Sequence, residues 1–120
     1  MLTTGTGVIL TPISSGNVEI KLNASFYSDT TGDGLMYNIY YGQGTALQTA
    51  NATPTPTLAL LPANISFPLN EAGIVASFSL DYILKGLTIG TSYVFEVVYA
   101  NVNGGKATFT QEDMWVIEIN

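Results

Sequence analysis

From Val18 to Phe26 apolar and polar residues alternate without a break. Val18, Ile20, Leu22, Ala24 and Phe26 fall on one side of an extended chain, and Glu19, Lys21, Asn23, Ser25 and Tyr27 on the other. Successive side chains of a strand point to opposite faces, so a period of two sustained this long fits a half-buried strand and not a helix. The pattern recurs. Ile74, Ala76, Phe78, Leu80 and Tyr82 alternate with Ser77, Ser79 and Asp81. Tyr93, Phe95, Val97 and Tyr99 share a face, with Glu96 on the opposite one. Near the end Trp115, Ile117 and Ile119 share a face, with Glu118 opposite. One buried and one wetter face is the antiparallel pattern. It predicts the Trp115 set toward the core and the strand carboxylates toward water.

Two runs differ. Leu35 to Tyr41 is apolar on both sides, and in Tyr93 to Ala100 Val94 and Val98 stand beside Glu96 on the second face. Such strands need cover on both faces, from the fold itself or from another subunit. No helix is available for it. The best candidate, Asp81 to Lys85, is short and runs into Gly86, so at most one turn is expected. Turn signals separate the runs: Ser14-Ser15-Gly16-Asn17, Asp29 to Gly34, Asn70 to Gly73, Ile89-Gly90-Thr91 and Asn103-Gly104-Gly105. Gly and Asx residues supply the positive φ that tight turns require. The expectation is one all-β domain over residues 1–120, an antiparallel sandwich of jelly-roll type, with an immunoglobulin or fibronectin III-like sandwich as the alternative. Alternating strands look the same in both.

Gly42 to Thr57 breaks the pattern. It has no charge, little bulk and two prolines, Pro54 and Pro56, which favour an extended path. Long structureless loops are uncommon in compact domains and usually have a use. Two uses are open: a crossover between the sheets, or an arm lying on a neighbouring subunit. The N-terminal stretch Met1 to Pro12 is also uncharged. It is either the first strand of its own sheet or an arm that adds to another.

Composition narrows the chemistry. The chain has no histidine, cysteine or arginine, and its basic residues are Lys21, Lys85 and Lys106. Most catalytic apparatus draws on side chains that are missing here, so no enzymatic activity and no cofactor are expected. Charged residues make up 10% of the chain, against about 25% in an ordinary soluble domain. A net charge of −6 with three lysines leaves little to hold phosphates, so neither nucleic acid nor an anionic membrane is an expected partner. The N-terminus lacks the basic and apolar regions of a signal peptide. A start at Met1 without a tag is expected of a complete small gene product.

The polar candidates are better explained by structure than by chemistry. Asp29 and Asp33 sit in a glycine-rich turn, but their spacing fits no calcium loop and Asp-Gly is ordinary turn chemistry, so no metal is expected. Glu112 and Asp113 are adjacent, yet nothing places two carboxylates across a cleft as glycoside hydrolysis requires. The sequons at Asn23, Asn51 and Asn64 are chance matches in a chain rich in Asn, Ser and Thr. Of the aromatic residues, Tyr27, Tyr40 and Tyr41 are expected to be partly exposed, at an interface before a sugar site.

Two resemblances follow from quoted residues. Leu84-Lys85-Gly86-Leu87-Thr88-Ile89-Gly90-Thr91-Ser92-Tyr93-Val94-Phe95 resembles the turn and strand of fibronectin type III domains, with Ile89 at the position of the usual proline. That family's early tryptophan is missing, and Trp115 lies near the end. The whole layout resembles the small jelly-roll virion proteins of tailed bacteriophages, either capsid decoration (cement) proteins or fibre heads. It rests on the long alternating strand Val18–Tyr27 after a glycine-rich lead, on Gly86–Tyr93 followed by Asn103-Gly104-Gly105, and on the closing strand Met114–Asn120. The resemblance implies a homotrimer on the capsid surface of a virion, with the major capsid protein as partner and no cofactor. The alternatives are a receptor- or carbohydrate-binding fibre head and a fibronectin-like spacer. Self-association also has a physical basis: few charges, two-faced strands and 47% hydrophobic residues leave apolar surface to hide. The expected interface residues are Leu2, Val8, Ile9, Leu10, Tyr40, Tyr41, Leu47, Pro54 and Pro56.

Overall fold

A computed structural model describes residues 1–28, 34–68, 73, 75–102 and 107–120. The expected turn at Asp29 and Asp33 lies outside the described residues, as does Lys106. The chain forms eight strands: β1 Leu2–Leu10, β2 Asn17–Ser28, β3 Gly34–Gln43, β4 Leu58–Ala59, β5 Ile65–Pro68, β6 Val75–Leu84, β7 Tyr93–Val102 and β8 Ala107–Ile119. There is no helix among the described residues. The expected helical turn at Asp81 to Lys85 instead continues β6 as far as Leu84, because its alternation carries on the inward series Phe78, Leu80, Tyr82.

The strands form two antiparallel sheets packed as a sandwich. The first runs β1-β7-β3, with β4 and β5 both pairing with the far edge of β3; the second runs β6-β2-β8. Pairings nest about the middle of the chain: β3 with β4 and β5, β2 with β6, β1 with β7. Apart from β8, which joins the other edge of β2, the chain is thus a long folded hairpin shared between two sheets. In an immunoglobulin-type sandwich the last strand would lie beside the one before it and the first beside the second. Here those two have exchanged places, β8 on β2 and β1 on β7. The fibronectin-like segment keeps one local feature: Tyr93, at the start of β7, accepts a hydrogen bond on its hydroxyl from the Thr88 N–H at 2.9 Å.

The inward set is what alternation predicts for β2 and β7, and the two-faced β3 adds to it. Val18, Ile20, Leu22, Phe26, Leu35, Ile39, Phe95 and Val97 are fully buried. Burying each such side chain stabilises the fold by about 1.5–3 kcal/mol. An aromatic stack ties the sheets at one end, with Tyr37 on Phe78 at 4.2 Å and Phe26 edge-on to Phe78 at 6.0 Å.

The last strand is inverted relative to its alternation. Val116 is buried and Met114 packs on the core, while Trp115 and Ile117 face solvent. The cause is a bulge. Ser25 pairs with Gln111 but Phe26 with Phe109, so Thr110 is an extra residue. One inserted residue swaps the faces of everything beyond it. The other parity would have turned Gln111 and Asp113 inward with Trp115.

The Gly42–Thr57 segment neither crosses to the second sheet nor projects outward. It leaves β3, lies as a strap over the outer face of its own sheet and returns as β4. Thr3 N–H donates to Ala52 O at 2.9 Å, Asn51 N–H to Thr3 O at 2.8 Å, and Thr3 Oγ1 to Thr49 O at 2.6 Å. Gln48 closes the strap on itself, donating through Nε2 to Thr53 O at 2.7 Å and accepting from Thr55 N–H at 2.8 Å. The cover that the two-faced strands demand is supplied here by the chain itself, leaving Val94 and Val98 buried beneath it.

Candidate functional site

Among the described residues none covers the outer face of the second sheet in this way. Strand register sets its side chains in rows across β6, β2 and β8. Ile83, Glu19 and Ile117 form one row, then Asp81, Lys21 and Trp115, then Ser79, Asn23 and Asp113. Ser77, Ser25 and Gln111 come next, and then Val75, Tyr27 and Thr108. Five large apolar side chains are exposed on this face: Ile83 50%, Trp115 46%, Ile117 54%, Val75 57% and Tyr27 36%. They lie at the two ends, and the polar rows lie between.

Those polar rows line a shallow groove of about 400 Å³, bounded by Asn23, Ser25, Ser77, Ser79, Gln111 and Asp113. Its side chains are largely engaged with one another. Ser79 donates to Asn23 Oδ1 at 2.7 Å, Ser25 and Thr110 hydroxyls are 2.8 Å apart, and Gln111 Nε2 reaches Asp113 at 3.3 Å. Lys21 Nζ stands 4.0 Å from Glu19, an exposed pair of little energetic weight. Among the described residues no cluster of three or more His, Cys, Asp or Glu side chains could hold a metal. The groove offers hydrogen-bonding groups and no nucleophile–base pair.

The other carboxylates have structural settings. Glu96 was expected on a wet face but is fully buried beneath the strap. Its Oε1 accepts the Gln48 N–H at 2.9 Å, while Oε2 is buried without a partner. Gly7 lies opposite, and a Cβ there would come within 2.6 Å of Oε2, so any side chain at this position would have to displace the Glu96 carboxylate. Desolvation by burial raises the Glu96 pKa, and the Gln48 hydrogen bond only partly offsets it. Glu112 projects toward β1 and hydrogen-bonds with Thr4 and Thr6; burial raises its pKa too. Glu118 turns back to the loop after β1, where it accepts N–H groups from Ile13 at 2.8 Å, Ser14 at 3.2 Å, Ser15 at 3.0 Å and Gly16 at 2.9 Å. These bonds lower its pKa to about 2.

Of the nine expected interface residues, five share the outer face of the first sheet: Ile9 and Tyr40 pair there with Val94 and Glu96, and Leu47, Pro54 and Pro56 belong to the strap over it. Val8, Leu10 and Tyr41 pack against the core, with Tyr41 stacked on Phe95 at 5.8 Å. Tyr40 is half-buried, its hydroxyl 3.9 Å from the Met1 sulfur. Pro54 and Pro56 are half-buried in the strap; Leu2, Ile9 and Leu47 are exposed. Leu2–Leu10 takes the first of its two possible roles, a strand of its own sheet, paired with β7. The face that does concentrate exposed apolar groups carries none of these nine. Trp115 and Ile117 were assigned inward, and only the bulge at Thr110, which alternation cannot show, turns them out. All three sequon asparagines are used within the chain: Asn23 by Ser79, Asn51 by Tyr99, and Asn64 by Asn38, which is buried and pins the Leu61 backbone.

Comparison with protein-family models, curated proteins and solved structures found no match to this chain.

Proposed function

We propose that this protein is a non-enzymatic structural protein that docks on another protein through the open face of its second sheet. The observation that carries the proposal is the exposure of Trp115, Ile117 and Ile83 on one three-stranded face, while the equivalent face of the other sheet is sealed by the chain's own strap. A monomer rarely leaves clustered apolar groups in water without a use, and tryptophan at the centre of a contact is a frequent anchor. In the concrete form that the resemblance suggests, the protein is a capsid decoration protein. It would bind the major capsid shell as an oligomer, several modest contacts adding up through multivalency.

The test has two arms. The protein should be found in purified virions of the producing system, and its absence from them overturns the virion reading. A double variant, Trp115→Ser with Ile117→Ser, should keep the far-ultraviolet spectrum of a β-sandwich while its occupancy on particles drops at least tenfold. Unchanged occupancy would remove the open face from the proposal.

A second reading, a sugar-binding fibre head, has one observation in its favour. The polar groove at Asn23, Gln111 and Asp113 lies beside the exposed Trp115, the pairing of hydrogen-bonding groups with an aromatic plane that sugars use. Binding of the isolated protein to a glycan array would favour it.

A further inference from the structure

Among the described residues β6 pairs only with β2, so its other edge is an unprotected row of backbone donors and acceptors ten residues long. Natural edges are usually blunted by lysine, proline or inward charge. This one has none of these, and its single charge is Asp81 on the outer face. We propose that β6 pairs edge to edge, antiparallel, with β6 of a second copy of this chain, centred on Ser79, so that the two three-stranded sheets become one of six strands.

The register follows from the residues. About Ser79, Val75 meets Ile83 of the second copy, Ser77 meets its Asp81, and Ser79 meets its own equivalent. Inward, Ala76 faces Tyr82 and Phe78 faces Leu80. Val75 and Ile83 are 57% and 50% exposed in the single chain, and this register places each against the other twice. The two Asp81 carboxylates end four residues apart, about 13 Å at the rise of a strand, beyond the ~8 Å screening length of physiological salt. Other centres fail. One on Asp81 opposes the two carboxylates, one on Phe78 sets Val75 against Asp81, and one on Leu80 sets Ile83 against Ser77. The contact is isologous and closes as a dimer, a different number from the trimer that the virion resemblance implies. It also joins the open faces: Ile117, Glu19 and Ile83 continue into Val75 and Tyr27 of the second copy. The inference rests on the self-association in the proposed function and supplies its geometry.

The chain has no cysteine, which makes the test clean. Directly opposed residues of an antiparallel pair lie within disulfide reach. Under mild oxidation at micromolar concentration Ser79→Cys should cross-link to a covalent dimer in high yield. Ser77→Cys, whose counterpart would be about four residues away, should cross-link at least tenfold less. Sedimentation of the unmodified protein runs alongside. Oligomers with no preferential cross-link at position 79 would overturn the β6 edge and leave self-association standing. A stable monomer would overturn both.

Discussion

The two sheets present their outer faces to opposite fates. On the first, Val94, Glu96 and Val98 line the middle of β7 and are buried, because the strap from Gly44 to Thr57 lies over them. On the second, Trp115, Ile117 and Ile83 occupy the same outward role and stay in water. The second face mixes ten polar side chains with five exposed apolar ones gathered at its two ends. The chain spends some fourteen uncharged residues on sealing the first face, and among the described residues nothing comparable lies over the second. The sealed face therefore belongs to the folding of this chain. The bare one is free for contact with another.

That contrast is most exposed to a matched pair of substitutions. Val98→Asp puts an unpaired carboxylate under the strap beside buried Glu96 and should cost about 3–5 kcal/mol. Ile117→Asp makes the same change on the open face and should cost about 1 kcal/mol, part of it from Glu19 directly opposite. Chemical denaturation of the two variants measures the difference. Equal losses would mean that the strap gives no more cover than solvent does, and the distinction between the faces would collapse.

Much of this was legible in the chain. The alternation of Val18–Phe26 places the core of β2 residue by residue, since a half-buried strand must alternate, and that of Tyr93–Tyr99 picks out the side of β7 that faces the core, although Val94, Glu96 and Val98 on its other side are buried too. The two-faced character of β7 correctly demanded cover. What supplies it is not written locally: the strap reaches β1 and β7 through contacts of the Thr3–Ala52 and Gln48–Glu96 kind, almost fifty residues apart in sequence. The open face was missed because strand parity is conditional. Alternation in β8 fixes that Trp115 and Ile117 share a side, but which side depends on the extra residue at Thr110, and a bulge there has no glycine or proline to mark it. Of the interface residues expected on Met1–Pro12 and the strap, Val8 and Leu10 pack on the core while Leu2, Ile9 and Leu47 are exposed, a split that scarcity of charge alone does not reveal.

The same comparison can be sharpened through the carboxylates. Glu96, under the strap, has its pKa raised by desolvation. A carboxyl whose folded value exceeds its unfolded one contributes stability that is full below about pH 4.5 and is lost as pH rises toward and through the raised value. Glu96→Gln removes that loss while keeping an oxygen for the Gln48 N–H. The variant should melt above the parent at pH 7 and together with it below pH 4.5. Glu112 is shifted in the same direction and titrates in both proteins, so the difference between the two melting curves isolates Glu96. A lower melting temperature for the variant at pH 7 would mean that the charged form is the one the strap is built to hold.

Glu118 has the opposite sign and gives the smallest effect, because its surroundings are open to solvent screening. Four N–H groups of the Ile13–Gly16 loop hold its carboxylate, and its pKa falls to about 2. A depressed carboxyl contributes stability that is present above the unfolded value near 4.5 and is lost as pH falls toward 2. Glu118→Gln should therefore melt below the parent at pH 7, with the two curves converging as pH drops from 4.5 to 2. The loop it holds joins β1 of the sealed sheet to β2 of the open one, so the clamp bears on both sheets. Weakening it should leave the cross-linking of Ser79→Cys unchanged, since that edge lies on the far side of β2 from β8. A fall in cross-linking with Glu118→Gln would show instead that the open face depends on how the loop is held, and the two faces would then be one coupled unit.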